Sequence, residues 1–136
     1  MLLTKASEYA LLSLIIISQK ETPQDVESLS KELDISKSFL AKILQSFAKN
    51  GILKSFKGTK GGFLLNISPN DLSVKKIIEC AEKKQAKVFE CSLPESKCPS
   101  GKETFCKILP ILNRLQLKID NFLDKITLKD LIEQQR

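Results

Sequence analysis

The chain has 136 residues, 42% hydrophobic and 28% charged, enough apolar content for one packed core and too much for an intrinsically disordered chain. Its formal net charge is +6 and it holds no histidine, so Ser/His/Asp triads, Cys/His pairs and histidine metal ligands are excluded by inventory and an enzyme is disfavoured. Arg114 and Arg136 are the only arginines, which leaves anion binding in the N-terminal half to lysine.

The first apolar run, Tyr9 to Ile17, is about half of the roughly 20 residues that cross a bilayer, with no basic leader or small-residue cleavage site beside it. It reads as a buried helix of a cytoplasmic protein with no membrane partner. In that reducing compartment the four cysteines point to metal binding or redox chemistry before structural disulfides.

Pro23, then Asp25 and Glu27, open a second helix on which Val26, Leu29 and Leu33 recur at helical spacing. After the short Asp34-Ile35 turn, Ser36 can cap a third helix with Phe39, Leu40, Ile43, Leu44 and Phe47 inward. Lys37, Ser38, Ala41, Lys42 and Gln45 then face outward, the arrangement of a helix-turn-helix whose second helix enters a major groove. Asn50-Gly51 stops that helix, and the segments Ile52 to Phe56 and Phe63 to Ile67 read as two strands around Lys57-Gly58-Thr59-Lys60-Gly61-Gly62. The glycines suit a tight wing tip, and Lys57 and Lys60 can straddle a phosphate ridge.

Between Asp34 and Asp71 the chain carries Lys37, Lys42, Lys49, Lys54, Lys57 and Lys60 and no carboxylate. A lysine run is often only a solvated face. Here it coincides with a DNA-reading motif, so the expected contacts to double-stranded operator DNA are Lys37, Ser38, Phe39, Lys42, Lys57, Gly58, Thr59, Lys60 and Gly61.

Ser73 can cap a further helix carrying Val74, Ile77, Ile78 and Ala81 on one side; Cys80, within it, reads first as a small buried apolar residue. Cys91, Cys98 and Cys106 differ, lying in or beside a loop rich in Ser, Pro, Lys and Gly. Their spacing matches neither a zinc ribbon nor a CxxC redox motif, while three thiolates suit an iron-sulfur cluster, 2Fe-2S or 4Fe-4S. A fourth donor would be Cys80, a carboxylate such as Glu90, Glu95 or Glu103, or an exogenous group. Past the loop, Ile108, Leu112, Leu115, Ile119, Phe122 and Ile126 form one seam of a coiled-coil-like helix, expected to be a homodimer interface. Thr127 with Asp130 then opens a short terminal helix, Leu128 to Gln134.

The fold class that follows is mainly α with a small β-hairpin wing: a winged helix-turn-helix over residues 1-70, then a cluster-binding loop and dimerisation helices over 71-136. End to end, the chain resembles the Rrf-type family of bacterial winged-helix transcription regulators. The carriers are Leu3-Thr4-Lys5 through Glu8-Tyr9-Ala10-Leu11, Ile35-Ser36 with Phe39-Leu40, and Lys49-Asn50-Gly51-Ile52-Leu53. The wing Lys57 to Phe63, the three loop cysteines and Ile126-Thr127-Leu128-Lys129-Asp130-Leu131 complete it. The resemblance implies a DNA-binding homodimer, expected to repress, that senses cluster status, nitric oxide or redox state.

Some members of that family complete the cluster with a histidine shortly after the third cysteine; Lys107-Ile108-Leu109-Pro110 has none here. Others use an acidic residue of the first helix donated by the partner subunit, and Glu8 is the matching position. Two departures bear on DNA preference. Lys57 stands where the wing usually has arginine, and Ala41 where a member carries an acidic residue that discriminates operators. The alternatives are a winged-helix regulator using its cysteines as a thiol switch or zinc site and, remotely, a thiol redox enzyme.

Overall fold

The computed structural model describes residues 3–88 and 107–134. Helix α1, Lys5–Ser18, buries Ala10, Leu14 and Ile17 together with the small Ser7 and Ser13. The Ser13 hydroxyl is satisfied within the helix, donating to the Ala10 carbonyl at 3.0 Å. Helix α2, Val26–Leu33, is capped by Asp25, whose carboxylate accepts from the Ser28 amide at 3.1 Å. It ends at Asp34, a residue type that tolerates the left-handed region, with φ 55°.

Helix α3, Lys37–Lys49, starts on the Ser36 cap, the hydroxyl accepting from the Phe39 amide at 3.4 Å. Strands β1, Leu53–Phe56, and β2, Gly62–Leu65, pair antiparallel in the register Leu53 to Leu65 and Phe56 to Gly62. A single 3-10 turn, Pro69–Asp71, leads to α4, Val74–Glu82, capped by the Ser73 hydroxyl at 3.1 Å from the Lys76 amide. The chain continues with α5, Leu109–Lys125, and α6, Leu128–Glu133, whose first turn carries the full Thr127/Asp130 capping box.

One core joins these elements: Leu14 and Ile17 of α1, Leu29 of α2, Leu40, Leu44 and Phe47 of α3, Ile77 of α4 and Leu128 of α6 are all fully buried. Each such side chain contributes about 1.5 to 3 kcal/mol by leaving water. The C-terminal segment reaches this core through two backbone bonds, Val74 N–H to the Ile126 carbonyl and Leu128 N–H to the Leu72 carbonyl, both 2.8 Å. A second, smaller cluster of Val74, Ile78, Ala86 and Leu123 seats α5 on α4. The result is a winged helix with appended helices, and no helix among the described residues is long and apolar enough to cross a membrane.

Candidate nucleic-acid interface

The outer face of α3 follows from its inner one. Leu40, Ile43, Leu44 and Phe47 are buried, so Lys37, Ser38, Lys42, Gln45 and Lys49 are left in solvent. Phe39, expected on the inward stripe, is 37% exposed instead. At about 100° per residue it lies roughly 90° from the centre of that stripe. It rests edge-on against Tyr9 of α1, with ring centroids 5.9 Å apart and planes at 84°. That contact ties the first turn of α3 to α1.

The wing is held by features with no periodic signature. Gln24 and Phe63 exchange two backbone bonds of 2.9 Å, so the residues before α2 form a one-residue bridge to β2. This close approach dictates Gly62: at φ +146°, an added Cβ would lie 2.5 Å from the Gln24 carbonyl. At the adjoining position, a Cβ on Gly61 would meet the Phe56 carbonyl oxygen at 2.2 Å, while its own amide donates to the Gly58 carbonyl at 3.0 Å. The tip Lys57-Gly58-Thr59-Lys60 is exposed throughout. Lys54, also exposed, stands over the Phe56 ring at 5.5 Å.

None of the six island lysines is in an ion pair among the described residues, whereas Lys5, Lys31, Lys75 and Lys129 each face a carboxylate within 3.9 Å. Unneutralised ammonium groups on one helix face and one hairpin tip are suited to a polyanion. Gln24, which anchors the wing through its backbone, was not legible beforehand because any residue type can make that bridge.

Of the residues expected to hold a cluster, Cys91, Cys98 and Cys106 lie outside the described residues. Among the described residues no group of three or more metal-ligating side chains gathers. Glu8 is exposed on α1, its carboxylate 3.1 Å from the Lys5 ammonium, in a cavity shared with Leu3, Thr4 and Leu11. The hydrogen bond and charge of Glu8 raise the Lys5 ammonium above its ordinary value. Cys80, half-buried on α4, sits 3.6 Å from the Ser46 carbonyl, while the Ser46 hydroxyl donates to the Cys80 carbonyl at 3.2 Å.

The stretch leading into the cysteine segment is tied to neighbouring helices. The Ser7 hydroxyl donates to Glu82 at 2.6 Å, and Thr4 bonds the same carboxylate oxygen. Burial pushes the Glu82 carboxyl up, but these hydroxyls and the charge of Lys84 outweigh it and hold it below the ordinary carboxylate value. On α5, buried Gln116 accepts from the Val88 amide and donates to the Ala86 carbonyl, both at 2.8 Å, and to Asp120 at 2.9 Å.

Comparison with known proteins agrees with this geometry. The family model Rrf2, iron-dependent transcriptional regulator, matches residues 3–134. A protein of Aquifex aeolicus named as an HTH-type transcriptional regulator is 31% identical over 97% of this chain and 92% of its own. The HTH-type transcriptional regulator IscR of Pectobacterium atrosepticum is 28% identical over 99% of this chain and 81% of its own. Among solved structures, CymR, the global cysteine regulator of B. subtilis, superposes with a TM-score of 0.75 at 22% identity, covering 100% of this chain and 99% of that one.

Proposed function

Because the chain belongs to the Rrf2 family of iron-dependent transcriptional regulators, we propose that it is a cytoplasmic, homodimeric repressor whose recognition helices and wings grip double-stranded operator DNA. It is a DNA-binding regulator of transcription and not an enzyme, in keeping with its relatives and fold neighbours. The observation that carries the reading is the set of unpaired lysines on α3 and the wing, free of any carboxylate from Ile35 to Asn70. Lys37, Ser38, Phe39 and Lys42 would meet the major groove, and Lys57, Gly58, Thr59, Lys60 and Gly61 the backbone beside it.

Pairing rests on α5. Ile108, Ile111, Leu115 and Phe122 lie on one side of it and are between 40% and 63% exposed. An unpartnered apolar strip of that size on so small a protein is best covered by the same strip of a second copy. Residues 1-70 then carry the DNA contacts, and 71-136 the sensing loop and the pairing helix.

For sensing, Cys91, Cys98 and Cys106 supply three soft thiolates and Glu8 of the partner subunit a carboxylate, a donor set that fits an iron-sulfur cluster with one weaker ligand. A cluster so held supplies a joint sensitive to oxidants and nitric oxide. The exposure of Glu8 supports its use by another chain, since its one partner among the described side chains is Lys5. Ser7 and Gln116 hold the stretch from Glu82 to Val88, which leads into the loop, against α1 and α5, so a change in the loop would be felt at the pairing helix and at the helix that supports Phe39.

The deciding experiment is anaerobic purification of wild type and Glu8→Ala, with iron, sulfide and absorption measurements, followed by promoter footprinting of the loaded and metal-free forms. Wild type should be coloured, the cluster of Glu8→Ala more labile, and one form should give a footprint. A colourless, iron-free protein after reconstitution would defeat the cluster and leave the cysteines as thiol switches or a zinc site.

A further inference from the structure

We propose that the DNA surface continues past the recognition helix across the groove between α3 and α4, where Lys49 and Lys83 take duplex phosphates beside Lys42. The proposal rests on the reading of α3 as the DNA-facing helix. A cavity of about 530 Å³ opens between the two helices, bounded by Lys42, Gln45 and Lys49 on one wall and Glu79, Cys80 and Lys83 on the other.

Helix geometry joins this groove to the interface already described. Lys42 and Lys49 are two turns apart, separated by about 10 Å along the axis and by roughly 20° around it, so both lie on the outward strip that begins at Ser38. Lys83 follows the last residue of α4, its backbone left-handed at φ 59°, where the negative end of the helix dipole favours a cation. Lys42, Lys49 and Lys83 are exposed and in no ion pair among the described residues.

Glu79 is the acid of the groove. It leans toward Lys75 at 3.9 Å and also lines the neighbouring pockets that include Asp120 and Asp124. The groove is therefore polarised, basic along α3 and at Lys83, acidic toward α5. A duplex carries one phosphate per about 3.4 Å of rise on each strand, so three cations spread over the basic part can meet more than one. An open, continuous basic wall fits a long polyanion better than an enclosed small ligand.

The test measures duplex affinity against salt for wild type, Lys49→Ala/Lys83→Ala, Glu79→Gln and Lys42→Ala, with circular dichroism to confirm folding. The double variant is expected to lose roughly tenfold in affinity and about two units of log-log slope. Glu79→Gln, removing a negative charge from the same groove, is expected to bind more tightly. If the double variant keeps the wild-type slope while Lys42→Ala shallows it, the surface ends at α3 and the wing and the proposal is overturned alone. If wild type binds no duplex, the underlying reading falls and this one with it.

Discussion

The Ser7 hydroxyl, fully buried, donates a 2.6 Å hydrogen bond to the Glu82 carboxylate 75 residues along the chain, locking the first turn of α1 to the last turn of α4. Hydrogen bonds to charged groups are stronger than neutral ones, so Ser7→Ala should cost about 1 to 2 kcal/mol. For a chain of this length that lowers the thermal midpoint by roughly 3 to 8 °C. A midpoint equal to wild type would mean that Thr4 alone holds Glu82.

The same contact has a pH signature. Glu82 titrates below its ordinary value in the fold, so the stability it contributes is present above the ordinary carboxylate value and is lost as pH falls through the lowered one. Melting wild type and Ser7→Ala at about pH 7 and about pH 3 should show the gap between them narrowing in acid. Glu79 behaves oppositely, because burial, with Asp120 and Asp124 adding to it, raises its carboxyl despite Lys75. Glu79→Gln should therefore stabilise the fold slightly at neutral pH, by no more than a few tenths of a kcal/mol after solvent screening, and lose that advantage in acid.

Gly62 sits where β2 passes the Gln24 backbone, and no side chain fits there without displacing main chain. Gly62→Ala should cost about 2 to 4 kcal/mol and release the wing. Hydrogen exchange at Gln24 and Phe63, whose amides bond across this bridge, should speed up. Unchanged protection of both amides would contradict the bridge.

Tyr9 supports α3 through the ring of Phe39 and is not among the residues proposed to touch DNA. Tyr9→Ala should reduce duplex affinity by up to about tenfold, the worth of one aromatic pair, while leaving the salt slope unchanged. A fall in slope would instead mark this region as an ionic contact.

The apolar strip of α5 predicts assembly. Phe122, 63% exposed, and Leu115, 40% exposed, should each give a monomer when replaced by Asp, since a buried unpaired carboxylate is costly at a symmetric interface. Light scattering after gel filtration checks this against a wild-type dimer. A variant that remains dimeric would place the interface elsewhere.

How far the sequence foretold this structure depends on what carries each feature. Helices α2, α3 and α4 were legible because Leu29, Leu40, Phe47 and Ile77 recur with helical period and Asp25, Ser36 and Ser73 are chemically suited caps. The hairpin and the Thr127/Asp130 capping box were legible for the same kind of reason. The contacts of Gln24 with Phe63 and of Ser73 with Thr127 were not, because single backbone bridges impose no residue type. The inward placement of Phe39 missed because it lies at the border of the buried stripe, where a neighbour such as Tyr9 decides exposure. Gln116, polar and yet buried, defied the seam pattern because its amide satisfies the Ala86 and Val88 backbone. The lysine surface could be read because an absence of acids over 36 positions, 35 to 70, is a property of sequence alone.

If that lysine surface grips duplex DNA, it will show in the salt dependence of promoter-duplex binding by wild type, Lys42→Ala and Lys57→Ala. Wild type should bind tightly at low ionic strength, weakening linearly on log-log axes, with each variant about one unit shallower. No affinity for promoter fragments at low salt in either the metal-loaded or the metal-free form, or slopes identical in all three proteins, would contradict it.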